Sequence, residues 1–437
     1  MKPHVFLYAV VALAASGFAA EPDRGFVAHE WGTFTSVQGA DGVQMEWNPL
    51  VVSELPSFVF ERNRVRGKNP KLLAAKTGMN CRQRMETPVI YFYSDRERTV
   101  DVAVDFPQGV ITEWYPQESA ANVGVELQTA KDTKTRRPAL HWPQVQIRGL
   151  SKSEPVLPQD SSGSHYYAAR QTDAAFVCTA DKEGKSEWEK FLFYRGTGNF
   201  DAPLTVKLDA ANASRISLTN SGKEELRHLL VYEVRDDGGA WLPLEKLKPG
   251  ETTTVQLEIG NGTRAFTAAD RSLEKASMVS SPRMNTTLVE SLVREGLYPL
   301  EARAMVKTWE DSWFAEKGLR VLYILPREWT DRTLPLAIKP APREIARVMV
   351  GRAEIITPQN EEQLLAQVER YISSDAAARP KIVADTRALG LGRFTEATLR
   401  RVMTGKQRGP EFYSLSWELL QAASITPKPT AGPTAAN

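Results

Sequence analysis

The feature that most constrains this chain is an alternating run close to its start. Val27, His29, Trp31, Thr33 and Thr35 share one parity, and Phe26, Ala28, Glu30, Gly32 and Phe34 the other. Successive side chains of a strand point to opposite faces, so the run reads as a strand with large rings on both sides. His29 and Glu30 then fall on opposite faces, and neither face is plainly the polar one. Gly39, Ala40, Asp41 and Gly42 supply turn chemistry, with two glycines free to take positive φ. Residues 43–47 alternate again. Together, residues 26–47 predict a β-hairpin with a four- or five-residue connection.

What precedes the run sets the expected compartment. Lys2 is followed by an apolar stretch over 5–15, too short to cross a bilayer, and then by small residues. Residues 1–20 are therefore expected to be a signal peptide, and the mature protein to be exported, periplasmic or extracellular. No second long apolar run follows, so no transmembrane segment is expected after cleavage. The chain has two cysteines, Cys81 and Cys178. In an oxidising compartment their simplest fate is a disulfide, adding about 4 to 5 kcal/mol in the chain-entropy account. The alternative is a reactive thiolate at Cys81, beside Arg82 and Arg84.

The 437 residues exceed one ordinary core, so two domains are expected. A formal net charge of +2 excludes binding of polyanions by overall charge. Strand-like runs recur at 88–93, 99–106, 109–115, 139–147 and 191–195, with long loops at 116–138 and 151–164. Residues 204–257 read as a small antiparallel sandwich with strands at 204–208, 214–218, 229–235 and 252–257. Near Ala265 the period changes. Thr287 and Glu290 suggest a capping box opening a helix to Gly296. Pro299 opens a second helix, over 299–317, whose stripe is Ala302, Met305, Val306, Trp309 and Trp313. Strands are expected at 319–325, 334–338 and 348–356, and helices at 358–372, from about 395, and at 411–422. The fold class is α+β. An all-β, sandwich-like region over 21–262, as one unit or as 21–200 and 201–262, precedes a mostly helical α+β region over 263–425. Residues 426–437 form a disordered tail.

Candidate chemistry clusters in the β-rich region. The mature chain has four histidines, His29, His141, His165 and His228. The first three each lie beside an aromatic residue, and with Glu30 or Glu86 they form a set able to bind zinc if they converge. Thr33 stands four residues after His29, so the helical two-histidine metalloprotease motif is absent. No nucleophile elbow of the Gly-x-Ser-x-Gly type occurs. Glu30 with Glu86 or Glu113 would suit glycoside hydrolysis if their carboxyls lie about 5 to 9 Å apart. A basic window from Arg62 to Arg84 contains no acid; it is either a solvated loop with a short helix at 71–76 or a patch for an anionic ligand. Aromatics are not interleaved there, so no specific nucleic-acid signal is present. The catalytic candidates are Glu30 and His29. The binding candidates are Arg82, Arg84, Trp31, His141 and His165. The sequence specifies neither metal nor cofactor.

FVAHEWGTFTSVQGADG, METPVIYFYS, FLFYRGTGNF and LEARAMVKTWEDSWF resemble stretches of a family of uncharacterised secreted bacterial proteins. The resemblance runs over most of the mature chain. It implies a bacterial source and export, and no activity or catalytic residue. Two functional readings stand. One is an exported protein that binds a cell-envelope component or a partner protein. The other is an exported hydrolase with a His/Glu site, with or without a metal. A third outcome for Glu30 involves no chemistry: an ion pair with Arg82 or Arg84 that fixes the hairpin.

Overall fold

The structure is a computed structural model describing residues 23–48, 55–62, 81–118, 139–148, 154–180, 184–260, 262–271, 283–404 and 408–424. The expected leader, the helix at 71–76, nearly all of the 116–138 loop and the tail lie outside them.

Six strands carry the argument: β1 (Asp23–Gly39), β2 (Gln83–Ser94), β3 (Leu192–Gly198), β4 (Leu226–Val234), β5 (Gly318–Leu325) and β6 (Pro342–Ile356). They form the middle of a ten-stranded sheet. Its order is Arg264–Thr267, Gly238–Leu247, β4, β5, β6, β1, β2, β3, Gly109–Tyr115, Phe60–Glu61. β1 lies parallel to β6 on one edge and antiparallel to β2 on the other. The expected hairpin is corrected by this pairing. With both edges of β1 taken, residues 43–47 make only isolated bridges, Gln38 with Gln44 and Trp47 with Cys81.

The register breaks where β1 meets β2. Gly32 stands opposite Pro88, and a Cβ on Gly32 would meet the Pro88 Cα at 2.9 Å. On the partner strand Thr87 takes φ 62, a left-handed conformation that strains a β-branched residue. The bulge re-aims Glu86 so that it accepts a hydrogen bond from Thr35 at 2.6 Å.

The architecture is α+β in three layers. One face of the large sheet, with Phe26, Ala28, Phe34, Ile90, Phe92, Val321 and Met349, shares a core with two smaller sheets. These are a three-stranded sheet, Leu204–Leu208, Arg215–Asn220 and Thr252–Gln256, and a five-stranded one that includes Leu140–Ile147 and Val177–Ala180. The sandwich expected over 204–257 is thus divided: β4 leaves it for the large sheet. The opposite face, with Trp31, Tyr91, Phe193, Leu322, Val348 and Val350, packs against helices α1 (Met284–Arg294) and α2 (Pro299–Glu310). Full burial contributes roughly 1.5 to 3 kcal/mol for each large apolar side chain, so this interface holds the helices firmly.

β5 and β6 sit in the middle of that sheet, so strands from both sides of residue 262 build one sheet. The α1 helix starts at Met284, before the Thr287 box, because Arg283 already takes the extended N-cap conformation. α2 ends at Glu310 and passes into a π-turn, Asp311–Ala315, where a longer helix was expected. The helix α3 (Arg327–Thr333) follows β5. The last helices, α4 (Pro358–Ser373), α5 (Arg379–Ala388), α6 (Thr395–Met403) and α7 (Pro410–Ser424), enclose their own core around Leu364, Ile382, Leu399 and Leu419. α5 is not legible as a helix in the sequence; its apolar positions form no clear stripe. Phe394 and Ala397 join this bundle to the sheet through Val37, Trp47 and Ile356.

Candidate functional site

His29 points from β1 toward the helical layer and meets α2. Its Nδ1 lies 2.7 Å from Glu301 Oε2, with both side chains essentially buried. Glu301 is fixed by its place in the helix. Tyr298 is the extended N-cap, Pro299 follows, and the Tyr298 N–H donates to Glu301 Oε2 at 2.8 Å. The carboxylate therefore caps the helix and orients the imidazole at once. An ionised carboxylate only accepts, so Nδ1 is the donor in this bond, and in the neutral tautomer that donates this way Nε2 carries the lone pair.

Two tyrosines enclose the imidazole. The ring of Tyr298 is 4.4 Å from it and that of Tyr93 is 5.3 Å away, and the two phenols lie 4.7 Å apart. Tyr298 is 39% exposed, so it is the cover between His29 and solvent. Burial, and then Glu301, push the Tyr93 phenol well above its usual value. Glu301 Oε1 and Tyr93 Oη are both buried with no other partner, and the Tyr93 hydroxyl is the donor that acts on the Glu301 carboxylate. The α1–α2 turn is gripped a second time at its other end, where His228 Nε2 lies 3.2 Å from Glu295 Oε1.

Glu30 faces the opposite layer and is an ion-pair residue. Arg347 Nε donates to it at 2.6 Å and the Tyr194 hydroxyl at 2.6 Å, with Glu30 and Arg347 almost wholly buried. The arginine partner is thus Arg347 on β6, not Arg82 or Arg84. Arg82 is surface-exposed and bonded to Asp201. Trp31 is completely buried against the helical layer, so it offers no platform to a ligand.

His29, His141 and His165 do not converge. His141 belongs to Leu140–Ile147 in the five-stranded sheet, on the far side of the large sheet from the His29 ring, and its backbone N–H donates to Glu118 at 3.2 Å. His165 opens a short 3-10 turn and packs at a tilt against Trp309, at the other end of α2 from Glu301. Among the described residues no group of three or more His, Cys, Asp or Glu is placed to hold a metal ion.

Arg84 lies in a buried ionic layer at the C-terminal ends of β1 and β6. Burial pushes the Glu86 carboxyl up, but Arg393, Arg84 and the Thr35 hydroxyl overcome it and hold it well below the carboxylate range. Arg393 reaches Glu86 at 2.7 Å from the C-terminal bundle, and Arg195 pairs with Glu113 at 3.1 Å. Burial, and then the Arg195 guanidinium, hold Arg84 down to about 10. Glu30, Glu86 and Glu113 are therefore each bound by an arginine, which removes the carboxylate pairs considered for glycoside hydrolysis. A related network serves the π-turn. Arg320 and Arg352, both fully buried, donate to the Trp313 and Ser312 carbonyls at 2.8 Å each and pair with Glu354.

The expected disulfide is corrected. Cys81 and Cys178 are both free and buried, in different parts of the fold: Cys81 is bridged to Trp47 beside the large sheet, and Cys178 lies in the five-stranded sheet. Burial pushes the Cys81 thiol up to about 12, which also removes it as a thiolate nucleophile.

No family model matches the chain, and no curated protein does. Among solved structures it is similar to the yeast delta-COP-I mu-homology domain, alone and complexed with a Dsl1 WxWxV peptide. Each match has 8% identity and a TM-score of 0.27, and covers 76% of this chain and 98% of that one. Likeness of that size carries no argument about this chain. No described helix is long and apolar enough to cross a membrane.

Proposed function

We propose that His29 and Glu301 form an acid–base centre of a hydrolytic kind. The observation that supports it is the 2.7 Å bond between two buried side chains, with a partly exposed tyrosine ring 4.4 Å from the imidazole. Base and orienting carboxylate are the two parts that general-base catalysis needs first. Displacement of Tyr298 would bring a substrate against Nε2. The imidazole would take a proton from attacking water as the new bond to the substrate's electrophilic atom forms, and then return it to the leaving group. Glu301 would hold the ring's tautomer and balance the imidazolium.

The experiment is a screen of chromogenic esters, amides and glycosides with the wild-type chain, His29→Gln and Glu301→Gln. Activity that falls by about 10²- to 10⁴-fold in His29→Gln is the expected result. Activity that survives this substitution, or none in any class, counts against the reading.

A second reading is favoured by one surface feature. Val293, Tyr298 and Leu300 are exposed apolar residues around the α1–α2 turn, 36%, 39% and 47% accessible. On this reading the chain binds a partner protein or an envelope component through that turn, with the two histidine–glutamate pairs as its rigid support. Tyr298→Ser with Leu300→Ser would then abolish association while leaving the fold intact.

A further inference from the structure

A groove of about 730 Å³ lies beside the extended segment 154–159 and shares no residue with the His29 centre. Its other side comes from the five-stranded sheet, where Phe176 precedes Val177–Ala180 and Lys190 follows Ser186–Glu189. A volume of that size suits a small-molecule ligand. Pro155, Val156, Leu157 and Phe176 give an apolar lining, and Arg170 and Lys190 are its cations. The walls are fixed. Arg170 donates to the Pro158 carbonyl at 2.9 Å and to Glu189 at 2.7 Å, and the Asp160 N–H donates to the Tyr167 hydroxyl at 2.9 Å.

The two cations differ in what balances them. Glu189 neutralises Arg170. The Lys190 ammonium instead donates to the Ala174 and Thr172 carbonyls at 3.0 and 3.4 Å, and lies 4.2 Å from the centre of the Phe176 ring. Two carbonyls and a ring hold the group in place without cancelling its charge, and an ammonium has three donors. Among the described residues no carboxylate lies within ion-pair distance of it. Burial disfavours that charge and pulls the ammonium below its ordinary value, against Glu154, Asp173 and Glu189 at longer range.

We propose that this groove binds a small carboxylate carrying an apolar chain, with the carboxylate on Lys190 Nζ and the chain along Pro155, Leu157 and Phe176. The carboxylate takes the remaining donor and supplies the missing charge, and the chain leaves water for the apolar wall. Glu154, exposed at the rim, is the competing feature: a cation would pair with it but would meet Lys190. The proposal is independent of the acid–base reading.

The test is a calorimetric titration of the full chain with sodium hexanoate, hexylammonium chloride and 1-hexanol at fixed ionic strength. The expected result is saturable binding of hexanoate, at least about tenfold tighter than of either control, the size of a charge-assisted bond. Lys190→Gln keeps a donor for the two carbonyls and removes the charge, and should bring hexanoate down to the level of hexanol. Val156 is 95% exposed, so Val156→Glu leaves the fold intact. The added acid should weaken hexanoate about two- to fivefold relative to hexanol, the size of exposed charge pairs. Equal binding of the three compounds, tightest binding of hexylammonium, no saturation with hexanoate, or hexanoate binding indifferent to Val156→Glu would overturn the proposal, whether or not Lys190→Gln folds.

Discussion

Glu30 on β1 and Arg347 on β6 stand directly opposite each other in the parallel ladder, 317 residues apart in the chain, and close a buried ion pair. The pair locks the register of the two central strands. Arg347 also reaches Asp331 at 2.7 Å and the Leu334 carbonyl at 2.6 Å, so it anchors α3 as well.

Removing one partner of a buried pair strands the other charge. Glu30→Gln and Arg347→Met should each cost about 3 to 5 kcal/mol in urea denaturation. Replacing both by Met should cost less than the sum of the single changes. A loss below about 1 kcal/mol for Glu30→Gln would show that the pair is worth no more than an exposed one.

The strand character of residues 26–38 was legible because alternation is a local signal, and so were Pro299 and Pro358 as helix openers. The pairing of β1 with β6 was not legible. Parallel partners need a long crossover, and nothing in 26–39 names a strand three hundred residues away. Glu301 escaped notice for the same reason. In sequence it is an ordinary N3 acid in a helix, and only the meeting of α2 with β1 turns it into the partner of His29. The one available signal was the Pro299–Glu301 cap, which marks a helix end able to be buried. The opposite error fell on Glu86 and Glu113, which read as free acids until the Gly392–Phe394 turn brings Arg393 to Glu86 and the strand pairing sets Arg195 opposite Glu113.

Glu118 gives a pH dependence of defined sign. Burial raises its carboxyl from 4.5 to about 7, opposed by the His141 N–H and Arg62. The folded chain therefore holds this proton more tightly than the unfolded one. Its stabilising contribution is fully present below 4.5 and is lost as pH rises through 7, at most on the order of 3 kcal/mol. Glu118→Gln should flatten that part of the stability profile between pH 5 and 8. An unchanged profile would place the titration elsewhere.

The two cysteines should titrate as two thiols in denatured, unreduced protein, because both are free in the fold. In the native state, Cys81 should react only as fast as the chain opens, since its thiol is buried and pushed up to about 12. A denatured chain with no titratable thiol would restore the disulfide.

The tautomer of His29 is the most direct test of the central claim, and a long-range ¹H–¹⁵N spectrum of the imidazoles reads it. Glu301 as acceptor predicts that the His29 proton sits on Nδ1, with Nε2 bare, and that Glu301→Gln disturbs this assignment. A proton on Nε2 in the wild-type protein would contradict the account, because the ring nitrogen away from Glu301 would then be no base.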